Sequence, residues 1–85
     1  LLKFGEGRLE VNVDAEDGRL RVEVLDEAGQ VLAGFGADHC RSISSDSRQR
    51  RVKWKKRKLK QLAGRRVRLR FLLAGGCRLF AFRLR

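Results

Sequence analysis

Apolar and polar residues alternate strictly in Arg8-Leu-Glu-Val-Asn-Val-Asp14, near the start of the chain. In an extended strand successive side chains point to opposite faces, so Leu9, Val11 and Val13 share one face of this stretch. The same alternation returns at residues 19–24. A period of two over six or more residues is typical of a strand with one buried face. The sequence therefore predicts an all-β fold.

Two turns divide the first half of the chain. The first, Ala15-Glu-Asp-Gly18, ends in a glycine that can adopt a positive φ, which favours a hairpin. The second, Asp26-Glu-Ala-Gly29, precedes a third short strand predicted at residues 31–33. We expect these three strands to pair in chain order, as a meander with one solvent-exposed face.

The second half of the chain begins after a long connection rich in Gly, Ser and Asp. The pattern predicts strands at residues 49–54, 66–73 and 77–84, and one short helical turn near 59–63. The last strand is apolar on both faces, so we expect it to be central in its sheet or covered by another chain. The whole predicts a small antiparallel β-sandwich of about 6–8 short strands.

The chain length bounds the domain organisation. The sequence has 85 residues, which is enough for a single module spanning residues 1–85. It contains no Met, and we expect the module to be part of a longer chain. No apolar run reaches the roughly 18–20 residues that span a bilayer, so we expect no membrane span.

Charge is distributed unevenly along the chain. Residues 1–46 carry five Lys or Arg and all ten Asp or Glu, a net charge of −5, whereas residues 47–85 carry sixteen Lys or Arg and no Asp or Glu, a net charge of +16. A segment with this excess of one sign attracts polyanions at low salt. The candidate polyanions are nucleic acid, an acidic polysaccharide, an anionic membrane surface and the acidic half of another copy of the chain.

The strongest functional signal is a basic cluster that follows residue 52. Ammonium and guanidinium groups neutralise phosphate or sulfate and release counterions. The candidate polyanion-binding residues within residues 53–70 are Lys53, Lys55, Lys56, Arg57, Lys58, Lys60, Arg65 and Arg66. The alternative is a solvated loop without a dedicated partner. Trp54 is interpreted as a core residue because it shares a face with Val52, although an exposed Trp54 would stack on a base or a sugar.

A row of arginines on one predicted face requires acidic neighbours. Arg66, Arg68 and Arg70 alternate along a strand, and like charges that face each other across a sheet are destabilising. We expect Glu10, Asp14 and Glu23, or a partner domain, to supply the opposite charge.

Catalysis and metal binding are not indicated. Asp38, His39 and Asp46 form the one cluster that resembles catalytic chemistry, and it lacks an activated nucleophile. We therefore expect no enzymatic activity, no cofactor and no metal. Cys40 and Cys77 allow either one disulfide or two thiols, and thiols are favoured.

Several segments follow the order and spacing of a known family. They are Leu20-Arg-Val-Glu-Val-Leu-Asp26, Gly34-Phe35, Cys40, Ile43, Asp46-Ser47, Val52-Lys-Trp54, Leu62-Ala-Gly-Arg-Arg-Val-Arg-Leu-Arg-Phe71 and Leu79-Phe-Ala-Phe-Arg83. Together they resemble the C-terminal β-sandwich module of bacterial glycoside-hydrolase-like proteins related to β-fructosidase and sialidase-type propellers. The resemblance extends from about Phe4 to Arg83.

This resemblance implies a non-catalytic accessory domain. Such a module packs on a catalytic domain in the parent chain, has a structural role with carbohydrate contact as a further option, and is extracellular or periplasmic. The basic run Lys55-Lys-Arg-Lys58 departs from the family, which has a small neutral turn there, and so does the hairpin Ala74-Gly-Gly-Cys77. The sequence thus leaves two functions open, an accessory domain of a glycoside hydrolase and a basic polyanion-binding module.

Overall fold

The computed structural model describes residues 2, 3, 5 and 7–85, and this part of the chain is built mainly from strands. The elements are β1 (Leu9–Asp14), β2 (Gly18–Leu25), β3 (Ser47–Arg51), the short 3-10 helix η1 (Leu59–Leu62), β4 (Arg68–Gly75) and β5 (Arg78–Leu84). They form two antiparallel sheets, with strand orders β3-β1-β5 and β2-β4. The prediction of a small all-β fold with one helical turn near residue 60 is confirmed.

The core lies between these sheets and is dominated by the alternating faces of β1 and β2. Six of their side chains are at most 1% exposed: Leu9, Val11, Val13, Leu20, Val22 and Val24. Burial of a side chain of this size stabilises a fold by about 1.5–3 kcal/mol. The period of two in the sequence therefore identified the inner faces correctly.

The predicted pairing of the first two strands is wrong. β1 pairs with β3 and β5, and β2 pairs with β4, so the turn after Asp14 carries the chain from one sheet to the other. The pairing of β1 with β5, which begins with Leu9 opposite Leu84, continues into the pairing of β2 with β4, which begins with Gly18 opposite Gly75. The register of β1 and β5 shifts between Asn12 and Val13. The segments β1–β2 and β4–β5 thus form one long antiparallel ribbon that bends at this corner. Gly76 closes the corner by donating its backbone N–H to the carbonyl oxygen of Asp17 at 3.0 Å.

The predicted third strand at residues 31–33 is also wrong. Val31 forms only an isolated bridge with Leu25, and the loop that follows covers the outer edge of β2. Within that loop, Phe35 accepts a hydrogen bond from the backbone of Val24 at 3.0 Å, and Ile43 accepts one from Leu20 at 2.8 Å. These bonds satisfy the free edge of β2 without a regular strand.

Strand β5 lies at an edge of its sheet, so the expectation of a central position is wrong, and the other expectation, that another chain covers it, stays a prediction. Among the described residues β5 pairs with β1 alone, and β3 occupies the other side of β1. Phe80 and Phe82 are consequently 62% and 45% exposed.

Among the described residues, one member of the arginine row, Arg70, meets an expected carboxylate, Glu23, whereas Glu10 and Asp14 face Arg85 and Arg78, which lie outside the row. Arg70 contacts Glu23 with an N–O distance of 3.2 Å, and Arg85 contacts Glu10 at 3.4 Å. In the β1–β5 pairing Asp14 stands opposite Arg78. These exposed pairs contribute little stability individually, but they balance the charge across the ribbon.

Substitution of Gly18 by alanine is expected to destabilise the corner. A Cβ at this position would collide with the carbonyl oxygen of Ala74, on the backbone of the paired strand. We expect the free energy of unfolding to fall by about 2–3 kcal/mol, because the backbone of a paired strand cannot move away as a flexible side chain can. Thermal unfolding followed by circular dichroism should show a melting temperature lower by about 10 °C or more.

The matched control is Gly5→Ala, since an added Cβ there meets no atom within 4 Å. This variant should melt within about 2 °C of the unmodified protein. Equal melting temperatures for the two variants would show that the close approach at the corner does not constrain the fold.

Candidate functional site

A groove of about 820 Å³ opens beside β3 and is the larger of the concavities described here. Seven of its lining residues are cationic and come from three segments of the chain: Arg41, Arg50, Arg51, Lys53, Arg57, Lys58 and Lys60. No Asp or Glu of the described residues lines it. We call this set the cationic groove. It brings together more charges of one sign than the second concavity, which contains two arginines and two acidic residues.

The positions of these cations follow from the buried residues between them. Val52 and Trp54 are 3% and 5% exposed and point into the core, so Lys53 between them faces outward. The backbone carbonyl oxygen of Lys53 accepts a hydrogen bond from the backbone N–H of Arg41 at 2.8 Å, which brings Arg41 to the same side of the groove as Lys53. Lys55 donates its backbone N–H to His39 at 2.8 Å and extends this pairing.

The other wall is formed by the turn that η1 makes. Leu59 and Leu62 are buried and fix the turn to the core. Lys58, at its start, donates its backbone N–H to the side-chain oxygen of Gln61 at 3.0 Å. This local bond holds Lys58 and Lys60 at the rim, on either side of the apolar Leu59 in the floor.

Trp54 supports the floor of the groove from the core side. Its indole N–H donates to the carbonyl oxygen of Val22 at 3.1 Å, and its ring meets Phe35 edge-on with centroids 5.5 Å apart. The interpretation of Trp54 as a core residue is therefore confirmed. With only 5% of its surface exposed, the ring is not available to stack on a base or a sugar.

The structure separates the predicted binding residues into three groups. Lys53, Arg57, Lys58 and Lys60 line the cationic groove. Lys55 and Lys56 are exposed beside it but do not line it.

Arg65 and Arg66 lie apart from this groove. They line a second concavity of about 450 Å³ together with Asp26, Glu27 and Ala28. The carboxylates there offset the arginine charge, so this second concavity is a poor site for a polyanion.

Three groove cations were missed from the sequence. Arg50 and Arg51 belong to β3, and Arg41 follows the loop residue Cys40, which forms an isolated bridge with Trp54. Arg50 and Arg51 adjoin the predicted cluster in the sequence and could have been included in it, whereas Arg41 reaches the groove through its backbone pairing with the distant Lys53. Within residues 2, 3, 5 and 7–85, no ion pair joins any of the seven cations to a carboxylate.

The remaining chemistry-bearing residues do not assemble with the groove. The Nε2 atom of His39 lies 3.8 Å from the Oδ2 atom of Asp38, and both side chains are exposed. The two cysteines are thiols, so the alternative of a disulfide is wrong. Burial raises the pKa of the Cys40 thiol, whose sulfur accepts a hydrogen bond from the backbone of Val22 at 3.3 Å. The residues described include no group of three or more His, Cys, Asp or Glu side chains placed to hold a metal ion.

Comparison with known proteins adds no relative. No family model, no curated protein and no solved structure matches the chain. In the described residues, no helix is both long and apolar enough to cross a bilayer. The resemblance to glycoside-hydrolase accessory modules therefore stays a prediction.

Proposed function

We propose that this protein binds nucleic acid through its phosphate backbone, in the cationic groove. The observation that carries the proposal is the convergence of seven cations from three segments on one concavity, without a described carboxylate to neutralise them. Four of the seven are arginines, whose planar guanidinium groups form paired hydrogen bonds with phosphate oxygens.

Protection of a sheet edge is the main alternative explanation of this charge. Exposed edge strands often carry charged residues that prevent pairing with other chains, and β3 is an edge strand. That role accounts for Arg50 and Arg51. It does not account for Arg41, Arg57 and Lys60, which lie outside β3 and line the same groove. Ligand binding explains both groups.

The proposed recognition is independent of base sequence. Base readout requires side chains that reach base edges, or exposed aromatic rings on which bases stack. Trp54 is the aromatic residue among those lining the groove, and its ring is buried in the core. The cations that remain contact phosphates, which carry no sequence information. The chain therefore binds different sequences with similar affinity.

Salt dependence of the affinity tests the proposal. We expect a fluorescein-labelled DNA of about 20 nucleotides, single-stranded or duplex, to bind at 50 mM salt and to bind roughly 10²–10³-fold more weakly at 200 mM. This range corresponds to about five phosphate contacts released with their counterions. Fluorescence anisotropy measures the affinity, and two unrelated base sequences should give the same curve.

Two competitors identify the class of ligand. A neutral glucan should not displace the DNA, because it carries no charge for the groove to neutralise. A sulfated polysaccharide that bound the groove much more tightly than DNA would make acidic polysaccharide the ligand and would contradict the proposal. Failure to bind DNA even at 50 mM salt would leave the groove as a solvated surface.

The accessory-domain function stays a prediction beside this proposal. It places the chain against a catalytic domain of a glycoside-hydrolase-like parent protein, with a glycan as an optional contact. The decisive observation for it is whether the gene encodes a propeller-type domain upstream of Leu1.

A further inference from the structure

The side of the molecule formed by β4 and β5 exposes large apolar side chains. Phe80 is 62% exposed, Leu73 46% and Phe82 45%. The ring of Phe82 packs on the half-buried Phe71 of β4, with centroids 5.0 Å apart, so the apolar surface continues from one sheet to the other. Exposed apolar residues gathered in one place mark interaction sites more often than scattered ones do.

The backbone of β5 is available on the same side. The strand order β3-β1-β5 leaves β5 with β1 as its one partner in the described chain. An edge strand presents a row of unpaired N–H and C=O groups, which accepts a further strand. Phe80 lies at an irregularity of the pairing, because Ala81 is opposite Asn12 and Leu79 is opposite Val13.

The pairing of β5 with β1 shows which strand pattern this edge accepts. On the inner face, Leu84 stands opposite Leu9 and Phe82 opposite Val11. On the outer face, Arg83 stands opposite a carboxylate, Glu10.

Arg78 likewise stands opposite Asp14 near the corner. The side chains of a strand alternate between the two faces of the sheet, so a strand on either side of β5 places its residues beside the same apolar and basic faces of β5. A second strand on the free side of β5 would therefore also need apolar residues on one face and acidic residues on the other.

We propose that the free edge of β5 binds, by strand addition, an extended segment of a partner protein in which apolar and acidic residues alternate. Main-chain hydrogen bonds provide affinity in this mode, and the alternate side chains provide selectivity. Contacts with Phe80 and Phe82 bury apolar surface, and carboxylates of the partner meet Arg78 and Arg83. This surface is separate from the cationic groove, and the inference does not rest on the proposed function.

A second copy of this chain is a poorer occupant of the edge. Each copy carries a net charge of +11, so two copies repel each other. The acidic strand that complements β5, namely β1, is central in its own sheet and is not available to another molecule.

The test uses a labelled peptide with the sequence of residues 8–15, which carries the required alternation. We expect Phe80→Glu in the protein to weaken peptide binding about tenfold or more, because it removes apolar contact and opposes the peptide carboxylates. The matched control is Val31→Glu, which alters an exposed apolar residue outside the β4–β5 side and should leave the affinity unchanged. Anisotropy measures both.

Peptide variants test the same inference without altering the protein. Replacing Glu10 and Asp14 of the peptide with lysine should weaken binding about tenfold, and N-methylation of alternate backbone amides should abolish it. Equal affinity for the acidic and lysine peptides would overturn the proposal. So would equal losses for Phe80→Glu and Val31→Glu, or dimerisation of the protein that Phe80→Glu prevents. Loss of peptide binding in Lys53→Glu, with no loss in Phe80→Glu, would place the peptide in the cationic groove and would also overturn it.

Discussion

Replacing Lys53 and Arg57 together with glutamate is expected to weaken DNA binding about 100-fold at 50 mM salt. Both side chains line the cationic groove, and they come before and after the buried Trp54 in the sequence. The change removes two phosphate contacts and adds two repulsive charges to the groove. It should also reduce the slope of log affinity against log salt by about two, since each lost phosphate contact removes about one counterion.

The double variant Lys55→Glu with Lys56→Glu is the matched control. It makes the same change in net charge, in the same segment, at two exposed residues that do not line the groove. We expect it to weaken binding less than about fivefold, through long-range repulsion alone. Equal losses in the two double variants would show that net charge, and not the groove, holds the DNA.

The faces of the strands could be predicted from the sequence because they depend on local pattern. Alternation in residues 9–13 and 20–24 identified the side chains that the structure buries most completely. The helical turn at Leu59–Leu62 was predicted for the same reason, since Gly64 ends it and its two leucines provide the contact with the core. Each of these features is encoded within a few residues.

The assignment of strands to sheets could not be predicted in this way. Ala15-Glu-Asp-Gly18 has the composition of a hairpin turn, yet it joins two different sheets. The pairing of β1 with β5 joins residues about 70 positions apart, and no local signal records it. The edge position of β5 has the same origin, because it depends on β3 and β5 taking the two sides of β1.

The candidate site was predicted in part for a related reason. A run of basic residues shows where charge is abundant, and it correctly included Lys53, Arg57, Lys58 and Lys60. It does not show which charges converge. Arg41 joins the groove because its backbone bonds to that of Lys53, across a loop that the sequence leaves undefined.

Truncation of Trp54 to alanine is expected to remove about 3–5 kcal/mol of stability. The ring is 5% exposed, packs edge-on against Phe35, and donates its indole N–H to Val22. A small domain is stable by only about 5–15 kcal/mol, so this loss should leave the protein partly unfolded at 37 °C. Urea denaturation followed by far-ultraviolet circular dichroism measures it, since the variant has no tryptophan fluorescence.

The variant Trp54→Phe separates packing from hydrogen bonding. It keeps an aromatic ring against Phe35 but cannot donate to the carbonyl oxygen of Val22, so we expect a smaller loss of about 1–2 kcal/mol. Since this variant stays folded, its DNA affinity can be measured and should be unchanged if the cations alone hold the phosphates. A stable Trp54→Ala protein that lost DNA affinity would instead mean that the indole ring contacts the ligand, and the groove would then bind bases as well as phosphates.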